Sequence, residues 1–473
     1  MNQKKEKKIT RREFIGKAAA AAAFTIVPRY VLGGTDYTAP SDKLNMACVG
    51  VGGKGYSDTH GVSSENIYAL CDVDDIKASK TYKDFPKAKR YRDFRKMLEN
   101  EKEIDAVTVS TPDHNHAVVA MAAMDLGKHV YVQKPLTHTV AEARMLAKKA
   151  KEMNVITQMG NQGHAGEGGR LINEWIWDGA IGDVYEVHVW TNRPIWPQGI
   201  SRPDTTPSVP SSLDWNQWLG PAKWRPYHPA YAPFAWRGWL DFGTGALGDM
   251  GAHLIDHPYW ALKMEYPDTV QASCSPINDE TYPNASMVTY EFPARGNKVV
   301  KGRLKGVFNA IKRRRAKDSS SIKPMVPVKM IWYDGGIMPP RPKEIEPGRK
   351  MGDDGGGVLF VGTKGKMMCS TYGANPRIIP EVKMKEYKRP PKTIPRSPGI
   401  REEWIEAIKG GAETTSNFEY ASKLTETMLL GCIALRVADN KTILKWDGEK
   451  GQFTNLDEAN TFLDKEYRDG WKL

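Results

Sequence analysis

Cysteine is scarce in this sequence. The five cysteines, at positions 48, 71, 274, 369 and 432, stand far apart and form no Cys-x-x-Cys. That excludes a disulfide framework and a cysteine-type zinc site. Long apolar runs are also missing: no stretch reaches about 18 consecutive apolar residues, so a transmembrane anchor is not expected. There is no internal repeat and no long low-complexity tract. Acidic residues are depleted in only two places. Residues 1–33 hold eight basic residues and two acids, and 298–329 hold eleven and one, leaving 49 basic against 53 acidic elsewhere. The net charge of +12 therefore belongs to two segments and gives no reason to expect a nucleic-acid partner.

Residues 1–33 read as an export signal. Lysines precede Thr10-Arg11-Arg12-Glu13-Phe14, and Ala18–Val27 is a short, weakly apolar run. A charged stretch before a short apolar one marks secretion, and the arginine pair before a large apolar residue resembles a twin-arginine signal. The expected location is the periplasm or cell exterior. The basic segment 298–329 reads as a solvated insertion. Phe308 is its only aromatic residue, too little for a base-stacking platform.

The full chain is 473 residues long, with 40% hydrophobic residues, enough for a substantial core. Leu44–Val49 is a short apolar run of buried-strand type, and Gly50-Val51-Gly52-Gly53-Lys54-Gly55 follows at once. Gly50, Gly52 and Gly55 satisfy Gly-x-Gly-x-x-Gly, and Gly53 lies within the same loop. Such glycines let a backbone approach a pyrophosphate at a helix N-terminus. A second strand, Ile67–Cys71, ends at Asp72, 22 positions after Gly50, where a ribose-binding acid belongs. Asp72 would accept from a 2′-hydroxyl and repel a 2′-phosphate, which favours NAD over NADP. Further strands are predicted at Asp105–Ser110, His129–Val132 and Val155–Gln158, with helices at Ala117–Gly127 and Val140–Met153. This alternation predicts a doubly wound parallel sheet over residues 43–158, with ligands beyond the strand ends. Thr111, Pro112, His116, Gln133 and Lys134 all follow strands.

The glycine loop, Thr111-Pro112-Asp113-His114-Asn115-His116 and Lys134-Pro135 resemble the glucose–fructose oxidoreductase / inositol dehydrogenase (Gfo/Idh/MocA) family. The resemblance implies an N-terminal Rossmann domain and a C-terminal α/β domain, here 159–473, with an open, mostly antiparallel sheet that commonly forms oligomer contacts. The family's usual Glu-Lys-Pro is Gln133-Lys134-Pro135 here, keeping the lysine and losing the acid. An Asp and a His four apart in the second domain match Asp249 and His253. By this likeness Lys134, Asp249 and His253 are the catalytic candidates, and Gly50, Gly52, Gly53, Gly55, Asp72, Thr111, Pro112, His116 and Gln133 hold the cofactor. A helix through 249–262 would put Asp249 and His253 on one face. Taken singly, Asp249 reads as an N-cap and His253 as a satisfied core histidine.

Ten of the 14 tryptophans lie between Trp175 and Trp260. Flat rings beside hydrogen-bonding residues suit a sugar, so Trp190, Arg193 and Trp236, with His164, Asp256 and His257, are the substrate candidates. The histidine and aspartate spacings are not those of zinc proteases, and no metal is expected. The expected function is exported, NAD-dependent oxidation of a secondary hydroxyl, with C3 a candidate position, on a sugar or glycoside, by a homo-oligomer. The alternative is a glycosidase that oxidises C3 transiently and eliminates its leaving group.

Overall fold

The computed structural model describes residues 42–295 and 325–473. The export stretch 1–33 and residues 298–324 of the basic segment lie outside the described residues. The end of that segment is ordinary sheet: Met325 bridges to Arg295, and Val328 and Lys329 open a strand.

The first sheet comprises β1 (Asn45–Val49), β2 (Asn66–Cys71), β3 (Lys89–Tyr91), β4 (Ala106–Val109), β5 (His129–Val132) and β6 (Thr157–Met159). Its order is β3-β2-β1-β4-β5-β6, and every pairing is parallel. Parallel strands are covered on both faces, so they read as continuous apolar runs, and all four residues of β4 are buried. The connecting helices are α1 (Lys54–Gly61), α2 (Asp75–Asp84), α3 (Phe94–Asn100), α4 (Asp113–Asp125) and α5 (Val140–Met153). A reciprocal Thr139–Glu142 capping box starts α5, and left-handed Asn154 ends it. The helix after β4 begins at Asp113 rather than 117, because Pro112 supplies extended backbone immediately before it. Strand order reverses between β1 and β4, which opens a crevice beyond their carboxyl ends.

The second sheet has nine strands: β7 (Val184–Thr191), β8 (Thr269–Cys274), β9 (Ser286–Phe292), β10 (Val328–Tyr333), β11 (Gly356–Gly362), β12 (Lys366–Ser370), β13 (Arg377–Ile379), β14 (Leu444–Asp447) and β15 (Gln452–Phe453). Their order is β13-β12-β11-β7-β10-β9-β8-β14-β15. Only β7 and β10 run parallel; the other pairings are antiparallel. The two sheets are those expected of an α/β chain with a Rossmann half and a mostly antiparallel half.

Register sets the faces of the second sheet. Val187, Val189, Met330, Trp332, Val288 and Tyr290 point into a core shared with the first domain. Their alternates, including His188 and Trp190, point to the opposite face. The helices of this half are α6 (Glu167–Trp177), α7 (Trp215–Leu219), α8 (Gly245–Leu254), α9 (Asp256–Ala261), α10 (Glu381–Glu386), α11 (Ile400–Ile408), α12 (Phe418–Arg436) and α13 (Asp457–Asn460). Among the described residues no helix is long and apolar enough to cross a membrane.

The chain crosses back between the halves. Helix α11 carries Ile400, Trp404 and Ile405 onto a face of the first sheet, against Met46, Cys48, Leu70 and Tyr131. Gln158 donates to the Ile400 carbonyl at 3.0 Å, and Thr414 to the Thr157 carbonyl at 2.7 Å. The nucleotide domain is thus completed by residues some 240 positions after its last strand. Trp404 is fully buried there. Its replacement by alanine should cost about 3–5 kcal/mol of unfolding free energy by urea titration. A loss below 1 kcal/mol would mean that α11 is not part of that core.

Candidate active site

The crevice between the halves encloses about 520 Å³. Its first wall is built from Gly50, Gly52, Gly53, Asp72, Thr111, Pro112, Gln133 and Lys134, and its second from Trp218, Trp236, Arg237 and Asp249. Gly50 has φ +75°, and a Cβ there would lie 2.8 Å from the Ser110 carbonyl. A Cβ on Gly55 would fall 1.7 Å from the Gly50 oxygen, so the start of α1 can cross the loop only without a side chain.

Asp72 grips this loop from the end of β2. Its Oδ2 accepts from the amides of Val51 and Gly52 at 2.7 and 3.0 Å, and its Oδ1 accepts from Asp74 at 2.9 Å. A carboxylate has about four acceptor positions, so one remains for a ligand hydroxyl. Burial pushes the Asp72 carboxyl above its ordinary range, against the amide hydrogen bonds that favour its charge.

The missing acid of the Gln-Lys-Pro triplet has a counterpart. Gln133 Nε2 donates at 2.9 Å to Asp58, a fully buried carboxylate on α1. Asp58 also accepts from Ser110 Oγ at 2.8 Å and from Arg401 of α11 at 2.5 and 3.1 Å, and it pairs with Lys54. Gln133 Oε1 is buried without a partner. An orphaned acceptor in the wall of a dinucleotide crevice fits a group that carries an amide, as nicotinamide does. Gly50–Gly55, Asp72 and Gln133 are therefore the residues that would hold NAD. No local pattern around position 58 marks Asp58, because its partners come from four separate segments.

Lys134 and Asp249 meet across the crevice. Lys134 Nζ donates to Asp249 Oδ1 at 2.8 Å and to the Asp249 carbonyl at 2.7 Å. Asp249 is the fifth residue of α8, not its N-cap, and His253 follows one turn later on the same helix. Arg237 Nε reaches Asp249 Oδ1 at 3.3 Å, and Arg193 Nε stands 3.9 Å from Oδ2. Burial would raise the Asp249 carboxyl, but Lys134 and Arg237 outweigh it and hold the group at about 2. Burial, reinforced by Lys134, pushes His253 well below the usual imidazole range, so it is neutral at pH 7. Tyr372 was not marked by the sequence. It has φ +61°, rare for a bulky residue, and its ring lies edge-on to His253 at 4.8 Å.

Other candidate residues do not enter the crevice. His116 is buried, with its ring nitrogens 2.8 and 2.9 Å from the Pro135 and Thr111 carbonyls. It braces two strand-end loops rather than touching a cofactor. Trp190 faces the outer side of the second sheet among Tyr333, Met351 and Leu359, so strand alternation removes it from the substrate side. His164 and Asp256 pair at 2.9 Å beneath Tyr420, which donates to Asp256 at 2.7 Å. His257 is fully buried against Gly373, both ring nitrogens unpartnered. The tryptophan-rich stretch divides as well. Trp215, Trp218 and Trp239 pack with Tyr231 and Phe242 into an aromatic lobe, while the edges of Trp218 and Trp236 line the crevice.

This combination defines a two-domain, dinucleotide-binding oxidoreductase. Residues 44–161 match the family described as "Oxidoreductase family, NAD-binding Rossmann fold", and residues 194–307 match its "C-terminal alpha/beta domain". Both are domain models of the Gfo/Idh/MocA oxidoreductase family, and together they match 232 of the 473 residues. It is 26% identical over 164 residues to the levoglucosan dehydrogenase of Pseudarthrobacter phenanthrenivorans, covering 35% of this chain and 34% of that protein. It is 25% identical over 243 residues to the scyllo-inositol 2-dehydrogenase (NADP(+)) IolW of Bacillus subtilis, covering 50% and 58%. These matches span only a third to three-fifths of the relatives' lengths. The fold is similar to an NAD-binding protein from Listeria innocua, with a TM-score of 0.54, 15% identity, and 85% and 97% of the two chains covered. It is also similar to a levoglucosan dehydrogenase in complex with NADH, with a TM-score of 0.53, 16% identity, and 85% and 99% covered.

Two consequences can be measured. Gln133→Glu sets a second buried carboxylate on Asp58 and should cost about 1–3 kcal/mol of stability. Adding Asp58→Asn should recover most of that loss, and additive losses would refute the coupling. Asp113, the buried first residue of α4, is pushed up to about 7 by burial, although Thr244, Lys134 and Arg237 oppose the shift. The folded state then holds a proton that the unfolded state has lost, between about pH 4 and 7. Relative to Asp113→Asn, the native protein should lose on the order of 1–4 kcal/mol as pH rises through that window. Urea titrations at pH 5 and 8 that show no such divergence would contradict the assignment.

Proposed function

We propose that the protein is an exported, NAD-dependent dehydrogenase that oxidises a secondary hydroxyl of a sugar, polyol or glycoside, with C3 the candidate position on a pyranose. The carrying observation is the Lys134–Asp249 pair, with His253 one helical turn away, at the mouth of a dinucleotide crevice. NAD bound there supplies the hydride acceptor. The side chains supply the proton chemistry. Asp249 stays ionised and directs Lys134 Nζ, whose remaining proton can bond the substrate oxygen and stabilise it as the carbonyl forms. His253 is uncharged, and its Nδ1 has no partner, so the imidazole can accept the hydroxyl proton. The rings of Trp218 and Trp236 and the guanidinium of Arg237 form the wall that a sugar would meet.

Export rests on the Arg11-Arg12 stretch before a short apolar run. A folded passenger can carry its cofactor with it, and a second carbonyl compound would then reoxidise that cofactor in place. The outer face of the nine-stranded sheet is the surface for a homo-oligomer, by family likeness. Levoglucosan and inositol dehydrogenases are the relatives named above, and neither favours the glycosidase alternative.

The purified protein, incubated with a panel of sugars, polyols and glycosides, should develop the absorbance of reduced nicotinamide as a keto product appears. Lys134→Ala should retain bound NAD and lose turnover by at least about a hundredfold. Full activity in that variant would overturn the assignment. Release of aglycone with no accumulation of reduced cofactor would overturn the dehydrogenase reading itself.

A further inference from the structure

Positive charge gathers around Asp249, in the wall of the crevice. Three cations converge on one carboxylate: Lys134, Arg237 and Arg193 lie 2.8, 3.3 and 3.9 Å from the oxygens of Asp249. Among the described residues, Asp249 is the only carboxylate within ion-pair distance of either arginine. Among the described residues, Arg193 Nε is buried with no hydrogen-bond partner, and the guanidinium hydrogen-bonds only the neighbouring Asn192 side chain. Arg237 bonds Asp249 and the Phe234 carbonyl, which uses only part of its five-donor fork. It is pinned over Trp236 at 4.3 Å, with Phe234 at 5.1 Å and Trp196 at 5.8 Å, contacts that fix its position and leave its charge intact.

Nearby groups do not cancel the excess. His253 is neutral. Asp113 accepts from Thr244 and forms no ion pair with either arginine. The carboxylate of Asp256 is paired with His164 and Tyr420. Two half-buried guanidiniums, Arg237 in the crevice wall and Arg193 beside Asp249, exceed what one aspartate balances and form a site for an anion. A neutral sugar hydroxyl can accept a hydrogen bond but leaves the guanidinium charge uncompensated, whereas a planar carboxylate matches the fork and neutralises it. The arginines share Asp249 with Lys134, so the anion and the reacting carbinol lie within one sugar unit.

We infer that the substrate is a sugar acid, a monosaccharide bearing a carboxylate such as a uronate or its glycoside, and that Arg193 and Arg237 receive the carboxylate while Lys134 faces the carbinol. The inference rests on the dehydrogenase reading for what happens at that carbinol. It does not rest on it for the binding.

The test is calorimetric titration of the NAD-loaded protein with matched pairs: methyl glucoside against methyl glucuronide, and methyl galactoside against methyl galacturonide. Glucose 6-phosphate is the third arm. At least one uronide should bind about tenfold or more tightly than its neutral partner. That ratio should shrink at high salt and collapse toward unity in Arg193→Gln and in Arg237→Gln, while Arg193→Lys keeps part of it. Retained NAD and an unchanged circular dichroism spectrum show that the variants are folded. Equal binding within both pairs, no uronide binding, or a preference that survives both substitutions would overturn the inference. Tighter binding of glucose 6-phosphate than of any uronide would overturn the carboxylate in favour of a phosphate. Reduced-nicotinamide absorbance in the same samples separates the two readings. Turnover of neutral glycosides without a uronide preference overturns only the acid specificity. A uronide preference with no reduction by any compound upholds the specificity and overturns the dehydrogenase.

Discussion

Lys134 ends a strand of the nucleotide domain, and Asp249 lies inside a helix of the other half, so their ion pair exists only when the two halves are docked. Its solvent exposure is low, and such a pair adds little net stability because desolvation offsets the attraction. Losing one partner is another matter, costing about 3–5 kcal/mol through the charge left behind. The pair therefore acts less as a clamp than as a positional constraint. It fixes the lysine nitrogen at the mouth of the cleft and holds the aspartate ionised. It also sets the charge felt by His253, whose ring stays neutral partly because Lys134 is close.

The same logic governs the buried carboxylate of Asp58. It sits under the glycine loop and is satisfied from four directions: Lys54 in its own helix, Ser110 after β4, Gln133 after β5, and Arg401 from the returning helix α11. A buried carboxylate must be paired, so these four segments are obliged to meet there. This accounts for a glutamine in a triplet where the family usually has an acid. A second carboxylate at 133 would face Asp58, while an amide can donate to it. Here the negative charge sits on α1, and the strand end carries its amide partner.

Much of the architecture was readable along the chain because parallel strands are buried on both faces. Runs such as Ala106–Val109 therefore carry no competing surface pattern. The glycine loop and Asp72 were readable for a local reason as well: the turn, the close approach and the strand-end acid all lie within one βαβ unit. Asp249 and His253 shared a face because both fall in one helix. Trp190 was misread as a sugar contact because composition does not reveal strand register, and a one-residue alternation sends it to the far side of the sheet. His116 was misread because its motif position says nothing about where its ring nitrogens find carbonyls.

By itself the sequence determined which segments become strands, which loop cradles a dinucleotide and which lysine, aspartate and histidine carry the family's pattern. Those features are set by contacts over tens of residues at most. Only the tertiary structure decided that Asp58 answers for the missing acid and that α11 completes the first domain. It alone placed Arg193 and Arg237 on Asp249, and Asp256 beneath Tyr420 instead of in the cleft. Each of these depends on charges or rings brought together from segments tens to hundreds of positions apart. Electrostatic pairing and burial act on distance in space, which no spacing along the chain encodes.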